Sequence, residues 1–175
     1  MLHRSQMAAK AASVFLLAAL LCLPGCYSSK FVLGSADSSK VDRAFVGDFV
    51  IAGDKGDERL TIRNIDDHQY FVGCSDGKET ERMIGYFADV RGQHFAELRN
   101  ITDDGSIPDD YLLVKVSLSA DHQQLTFWNL NDDFMKSKSI DSSFKLKVMI
   151  EANLDNPKMY DAATVATRKA ATTQP

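Results

Sequence analysis

The stretch YLLVKVSLSADHQQLTFWNL, residues 111–130, decides the fold class. In its first half, aliphatic residues alternate with polar ones at positions 112, 114, 116 and 118. Alternation with a period of two is the pattern of a half-buried β-strand. The turn residues SADHQ follow, and QLTFWNL then forms a second apolar run. The stretch therefore predicts two antiparallel strands with one buried, apolar face in common.

Similar short runs, separated by turn residues, extend outward in both directions from this hairpin. Strands are expected at residues 45–52, 59–65, 68–74, 80–90, 94–101, 111–119, 124–130 and 144–152. Sequential antiparallel strands with mostly short links favour a closed arrangement, because closure removes the exposed edges of a sheet. We predict an all-β fold, an antiparallel up-and-down barrel or strongly curved sheet of about eight strands.

The segments around these strands define the domain organisation. NDDFMKSKSIDSS, residues 131–143, begins with acidic residues suited to the first turn of a helix and predicts one short helix before the last strand. The Ser-rich residues 26–43 are expected to form a flexible tether, and residues 44–152 the folded domain. The Ala- and Thr-rich tail, residues 153–175, is expected to be helical or disordered.

The first strand contains Gly47-Asp48-Phe49, and LTIRNIDDHQYFV follows at residues 60–72. This pattern resembles the G-x-W signature in the first strand of lipocalin-like (calycin) barrels, with Phe49 in the place of the tryptophan. It is also similar to uncharacterised bacterial lipoproteins of that type. The resemblance implies a lipocalin-like barrel. Such barrels place an arginine over the tryptophan from the last strand, and the expected last strand, 144–152, contains none.

The first 25 residues have the pattern of a secretory signal. Arg4 and Lys10 precede a 13-residue apolar run, AASVFLLAALLCL, which is too short for a permanent transmembrane helix of about 20 residues. The end of the run, Leu23-Pro24-Gly25-Cys26, resembles the lipobox of bacterial lipoproteins. The resemblance implies removal of residues 1–25, a diacylglycerol thioether on Cys26 and an acyl chain such as palmitate on the new amino terminus. Ordinary secretion is the alternative.

This lipobox implies a lipid-anchored location in the bacterial cell envelope. Two or more acyl chains hold a protein stably on a membrane without a spanning helix. Tyr27 follows the cysteine where an Asp would favour retention at the inner membrane, so the outer membrane is the expected destination.

Charge and cysteine content narrow the function further. From residue 26 onward the chain has 18 basic and 24 acidic side chains, a formal charge of −6. A nucleic-acid partner is not expected, because phosphate binding requires a basic face. With Cys26 lipidated, Cys74 is the one remaining thiol, so no internal disulfide forms. Cys74 lies at the end of an apolar strand and is expected to be a small buried core residue.

The sequence contains no recognisable motif of catalysis or metal binding. The histidines after residue 25 are widely spaced, at 68, 94 and 122, and no GxSxG or phosphate-binding loop is present. We therefore expect no metal, no cofactor and no enzymatic activity, and we expect a binding or interaction domain.

The aromatic residues offer one candidate binding site. Phe127 and Trp128 are adjacent in a strand and point to opposite faces. Either the predicted helix covers the outward ring, or Tyr70, Tyr86 and Trp128 line a cavity for a small apolar ligand or form a partner surface. A second alternative is that the acidic loop 102–110 binds an envelope protein with a basic surface.

Overall fold

The computed structural model describes residues 27–53 and 56–170 and contains a closed antiparallel β-barrel. One two-residue strand and eight barrel strands follow each other along the chain: β1 (Ser28–Ser29), β2 (Gly47–Ile51), β3 (Glu58–Asn64), β4 (Tyr70–Ser75), β5 (Thr80–Val90), β6 (Gln93–Asn100), β7 (Tyr111–Leu118), β8 (Gln124–Asn129) and β9 (Thr164–Arg168). Two helices, α1 (Asp132–Lys136) and α2 (Ser143–Asn153), lie between β8 and β9. The predicted fold class is confirmed, including a short helix before the last strand.

Each strand from β2 to β8 pairs with the next one along the chain, and β9 closes the barrel by pairing with both β8 and β2. All of these pairs are antiparallel. The eight strands from β2 to β9 therefore have no unpaired edge among themselves. The arrangement is compatible with the lipocalin-like barrel that the sequence resembles.

Two hydrophobic clusters stabilise the fold. The first fills the barrel with the inward-facing residues of the strands, such as Phe49, Leu60, Val72 and Phe127. The second lies outside the wall formed by β5, β6 and β7, where α1 and α2 cover it. Phe95 and Leu113 point outward from that wall and are fully buried there. The wall is therefore buried on both faces where the helices cover it, so that adjacent residues such as Phe95 and Ala96, or Leu113 and Val114, are both buried.

The strand predicted at 144–152 is wrong, because these residues form α2. Leu146 and Ile150 fit a strand pattern of period two, but they are also four residues apart and share one face of a helix. Both are completely buried in the outer cluster. The hydroxyl of Ser142 caps the helix by accepting a hydrogen bond from the backbone N–H of Lys145 at 3.3 Å. The same spacing of aliphatic residues is therefore compatible with a helix, and the Ser142 cap favours the helix.

The helix predicted within 131–143 is shorter than expected. α1 covers Asp132–Lys136, and the side chain of Asn131 caps it by accepting from the N–H of Phe134 at 2.9 Å. The ion pair between Lys136 and Asp132 adds a contact across one turn.

The tail predicted to be helical or disordered contributes the closing strand. Residues 164–168 form β9, in which Ala166 is fully buried and pairs with Ile51 and Leu125 on its two sides. Its small side chain suits a position between larger neighbours. The strand is short and turns only small or polar residues inward, so it has little hydrophobic signal.

The tether predicted at 26–43 is also corrected, for residue 27 onward. Ser28 and Ser29 pair with β7, and Phe31 and Leu33 pack against the outer cluster. Two short 3₁₀ turns follow, at Ala36–Ser38 and Arg43–Phe45. The segment is held because it covers apolar surface and satisfies a buried carboxylate, described below.

The expected signal segment, residues 1–25, and the lipidation site at Cys26 lie outside the described residues. Among residues 27–53 and 56–170, no helix is both long enough and apolar enough to cross a membrane.

Candidate functional site

The interior of the barrel is nearly filled. A small cavity of about 50 Å³ remains near its middle, and its lining is apolar except for the Tyr70 side chain. Pockets for drug-sized ligands are about 300–1,000 Å³. This space has room for a few water molecules and not for a lipid or a cofactor.

Tyr70 points into this interior but has a structural role. Its hydroxyl accepts a hydrogen bond from the backbone N–H of Asp42 at 2.6 Å and lies 3.2 Å from the backbone oxygen of the same residue. Its ring stacks on Phe87 with a centroid separation of 4.6 Å. Burial raises the pKa of Tyr70 to about 12. The side chain therefore fastens the segment before β2 across one end of the barrel.

Tyr86 points outward from β5 and Trp128 points outward from β8, so the structure does not bring the three predicted aromatic residues together. Tyr86 is opposite Glu97 in the β5–β6 pair, and its hydroxyl donates to the backbone oxygen of Gly34 at 3.3 Å. Burial raises the pKa of Tyr86. Trp128 is opposite Lys115, whose amino group lies 5.4 Å from the centre of the indole ring. The strand register explains the separation, because Tyr70 pairs with Gly85 and the next residue, Tyr86, therefore points to the opposite side.

A wider, open cleft of about 580 Å³ lies beside the hairpin turns at 91–92 and 119–123. Lys115, Trp128, His94 and His122 are among its lining residues. Burial lowers the pKa of Lys115, and its amino group also lies 4.8 Å from the centre of the Tyr160 ring. Gln93, another lining residue, has a buried side-chain oxygen without a hydrogen-bond partner within the described residues. The cleft is the larger of the two spaces and has polar groups at its surface.

Glu97 is a buried carboxylate that sequence reasoning missed. Its side chain has no exposed surface and accepts hydrogen bonds from the backbone N–H groups of Leu33 and Gly34 at 2.9–3.1 Å. Burial raises the pKa of Glu97 to about 7, although these donors and Tyr86 oppose the shift. An acidic residue between the apolar residues Ala96 and Leu98 of HFAELRNI was the available signal. Glu97 anchors the amino-terminal segment to β6.

Arg168 is the second residue that was missed. Its guanidinium carbon lies 4.5 Å from the centre of the Phe49 ring. The guanidinium donates hydrogen bonds to the backbone oxygens of His122, Val46 and Ala44 at 2.6–2.8 Å. The last strand therefore does contain an arginine over the aromatic residue of the first strand. The expectation that none was present failed because the last strand was placed at 144–152.

The position of Arg168 also explains Gly47. A β-carbon at residue 47 would collide with the guanidinium of Arg168. The glycine of Gly47-Asp48-Phe49 thus leaves room for the side chain that closes this end of the barrel. We call this end, which includes the turns at 65–69, 91–92 and 119–123, the Arg168 end.

The opposite end of the barrel contains three acidic loops and is called the acidic end. Residues 56–57, 76–79 and 101–110 lie at this end, because β2, β4 and β6 all run towards it. Residues 57–59, 76–82 and 101–110 contain nine carboxylates and three basic side chains, a formal charge of −6. The predicted acidic loop 102–110 is therefore one part of a larger acidic surface.

Cys74 lies inside the barrel near the acidic end and has little nucleophilic character. It is 8% exposed, and burial, aided by the charges of Glu58, Glu81 and Asp76, raises its pKa to about 12. A thiol with this pKa is protonated at neutral pH, whereas a nucleophilic cysteine needs its thiolate. The position suits a structural role.

No cluster of three or more potential metal ligands among His, Cys, Asp and Glu occurs within the part of the chain that the structure describes. His68 binds the backbone oxygen of Ser39 through its Nδ1 atom, and His94 lies 3.9 Å from Asp89.

Comparison with known proteins identifies no relative. The chain matches no protein-family model, no curated protein and no solved structure.

Proposed function

We propose that this chain is a lipid-anchored lipoprotein of the bacterial cell envelope, with a non-catalytic β-barrel that binds partners through its outer surface. The observation that carries the binding mode is the filled interior, with a cavity of about 50 Å³. Binding is then expected at the outer surface, where the acidic end carries a formal charge of −6. The anchor is supported by Leu23-Pro24-Gly25-Cys26, which ends one residue before the described chain begins. The outer membrane is the proposed destination.

The anchor is tested by replacing Cys26 and, as a matched control, Cys22. Cells producing the wild type, Cys26→Ser or Cys22→Ser are fed an alkyne analogue of palmitate and then fractionated. We expect the wild type and Cys22→Ser to be labelled and to sediment with the envelope after washing. Cys26→Ser should be unlabelled and released. Sedimentation of Cys26→Ser with washed envelopes would refute the lipid anchor.

A protein partner with a basic surface is the favoured ligand class, because three loops from separate parts of the sequence place their carboxylates at one end. The expected interaction weakens as salt rises, since surface charges are screened over about 10 Å at 0.1 M salt. Envelope proteins captured by the purified wild type are compared with those captured by a variant with Asp103, Asp104, Asp109 and Asp110 changed to Asn. Identical, salt-insensitive capture by both proteins would contradict a role for this surface.

A carrier of a small apolar ligand is the competing proposal. It requires the barrel to expand, because the present cavity is several-fold smaller than a typical ligand pocket. Native mass spectra of the protein, gently purified from envelopes, are compared with its denatured mass. Additional mass that disappears on denaturation would favour the carrier. The bare chain mass would favour binding through the surface.

A further inference from the structure

Helix α2 carries an apolar stripe that nothing in the described chain covers. Phe144 is 77% exposed and Val148 is 47% exposed. The two residues are four positions apart, so they lie on one face of the helix. The other face of α2 is buried through Leu146 and Ile150. Phe144 is more exposed than any other large hydrophobic residue in the described chain.

The amino-terminal segment, which begins at Tyr27, contacts this helix. The N–H of Val32 donates to the hydroxyl of Ser143, the first residue of α2, at 3.0 Å. The N–H of Tyr27 donates to the backbone oxygen of Leu130 at 3.4 Å. Tyr27 is the first described residue and is bonded to Cys26. It lies five residue steps from Val32, and an extended chain covers at most about 3.5 Å per step, so Tyr27 is within roughly 20 Å of the first turn of α2.

The distribution of charge favours the same face. Lys145 and Lys147 are exposed beside the apolar stripe, and Asp141 pairs with Lys145 at 2.6 Å. Residues 130–161, which contain both helices, have five basic and six acidic side chains, whereas the acidic end has a charge of −6. An anionic phospholipid surface would repel the acidic end much more strongly than the helical face. Lysines beside apolar residues are typical of helices that lie in a membrane interface.

We propose that α2 docks on the phospholipid bilayer, with Phe144 and Val148 inserted at the boundary between headgroups and acyl chains. This inference rests on the proposed lipidation of Cys26, which holds the domain at the membrane. The amino-terminal segment is hydrogen-bonded to the rest of the domain, so the anchor turns the side of the barrel that carries the helices towards the lipid. The barrel has one orientation on the membrane.

The orientation is tested with a fluorescent label on single introduced cysteines. Full-length lipidated protein is purified from envelopes and reconstituted in phosphatidylethanolamine and phosphatidylglycerol vesicles that contain a headgroup-nitroxide lipid. Cys26 is blocked by the lipid, and Cys74 is buried with a pKa of about 12, so a bimane label reacts with the introduced residue. The test variants are Phe144→Cys and Val148→Cys. The matched controls are Ile65→Cys and Val165→Cys, at sites 50% and 45% exposed.

We expect the nitroxide lipid to quench labels at 144 and 148 at least twofold more than labels at 65 and 165. Thermal unfolding of each variant verifies that the barrel is intact. Equal quenching at all four sites in protein that floats with the vesicles would overturn the docking proposal and leave the lipid anchor standing. Absence of the diacylglycerol mass, together with loss of flotation, would overturn both proposals.

Discussion

At the scale of single residues, the half-buried Arg168 and the buried Glu97 hold the barrel to segments that are distant in the sequence. Arg168 joins the last strand to the backbone before β2 and to the turn after β7. Glu97 joins β6 to the amino-terminal segment. Removing one partner of a charged, buried hydrogen bond leaves the other group unsatisfied, which is more costly than losing an exposed contact. Both side chains should therefore contribute strongly to stability.

Replacing Arg168 by Ala should lower the free energy of unfolding by roughly 2–3 kcal/mol, because charged hydrogen bonds and a cation–π contact are lost. Urea unfolding followed by Trp128 fluorescence measures the change. Lys169→Ala is the control, since Lys169 is the exposed neighbour of Arg168. A similar midpoint for both variants would contradict the role assigned to Arg168.

Replacing Glu97 by Gln should change how stability depends on pH. Because the pKa of Glu97 in the fold is about 7 and its ordinary value is 4.5, the folded state binds the proton more tightly. Its contribution is present below about pH 4.5 and is lost as the pH rises towards 7, by up to roughly 3 kcal/mol. The difference in unfolding free energy between wild type and Glu97→Gln, measured from pH 4.5 to 8, should follow this slope.

The matched control for this experiment is Glu79→Gln, which changes an exposed glutamate in a turn. A pH-independent difference between wild type and Glu97→Gln would show that Glu97 does not titrate in this range.

At the scale of secondary structure elements, the clearest lesson comes from α2. Four aliphatic or aromatic residues at alternate positions favoured a strand, yet only Leu146 and Ile150 are buried. Phe144 and Val148 lie on another face of the helix. A spacing of two residues contains a spacing of four, so a short sequence of this kind satisfies both periodicities. The Ser142 cap and the ion pair between Asp141 and Lys145 stabilise the helical alternative.

Alanine substitutions along α2 distinguish the two structures. Leu146→Ala should destabilise the fold by about 2–5 kcal/mol, the usual cost of deleting a large buried side chain. Val148→Ala should change stability by less than about 0.5 kcal/mol, because the residue is exposed in the helix. In a strand both side chains would face the core. Comparable losses in the two variants, measured by thermal or urea unfolding, would therefore argue for the strand.

At the scale of the whole molecule, closure of the barrel depends on a segment with almost no hydrophobic signal. β9 pairs with both β8 and β2, and its last residue, Arg168, lies over Phe49 at the Arg168 end. Without it, two barrel strands would expose unpaired edges. The fold therefore cannot be completed until the chain has been synthesised to residue 168.

Deleting residues 162–175 should abolish the cooperative unfolding transition and promote aggregation, because the edges of β2 and β8 become open. Circular dichroism during heating and size-exclusion chromatography report the two effects. A synthetic peptide of residues 162–170, added during refolding, should restore the transition, and a scrambled peptide should not. An unchanged melting temperature after the deletion would show that β9 is dispensable.

The predictable part of the fold is the part with strong alternation. The strands from β2 to β8 follow from their period of two, with bounds within a few residues of those expected. The candidate site was less predictable. Tyr70, Tyr86 and Trp128 were grouped by chemistry, but the register places Tyr70 inside the barrel and the other two outside. Which face of a strand is buried, or whether both are, depends on what covers it, and here that cover comes from α1, α2 and residues 27–34.

The sequence alone determined the class of fold, the order of strands β2 to β8 along the chain and the expectation of a lipid anchor, because alternation, turns and the lipobox pattern are local. Tertiary structure decided which segment closes the barrel, how little space remains inside it and which carboxylates lie together at the acidic end. These properties arise from contacts between residues far apart in the chain, as between Arg168 and Phe49 or Glu97 and Gly34. Such contacts require particular residues to meet in space, and local sequence patterns do not record them.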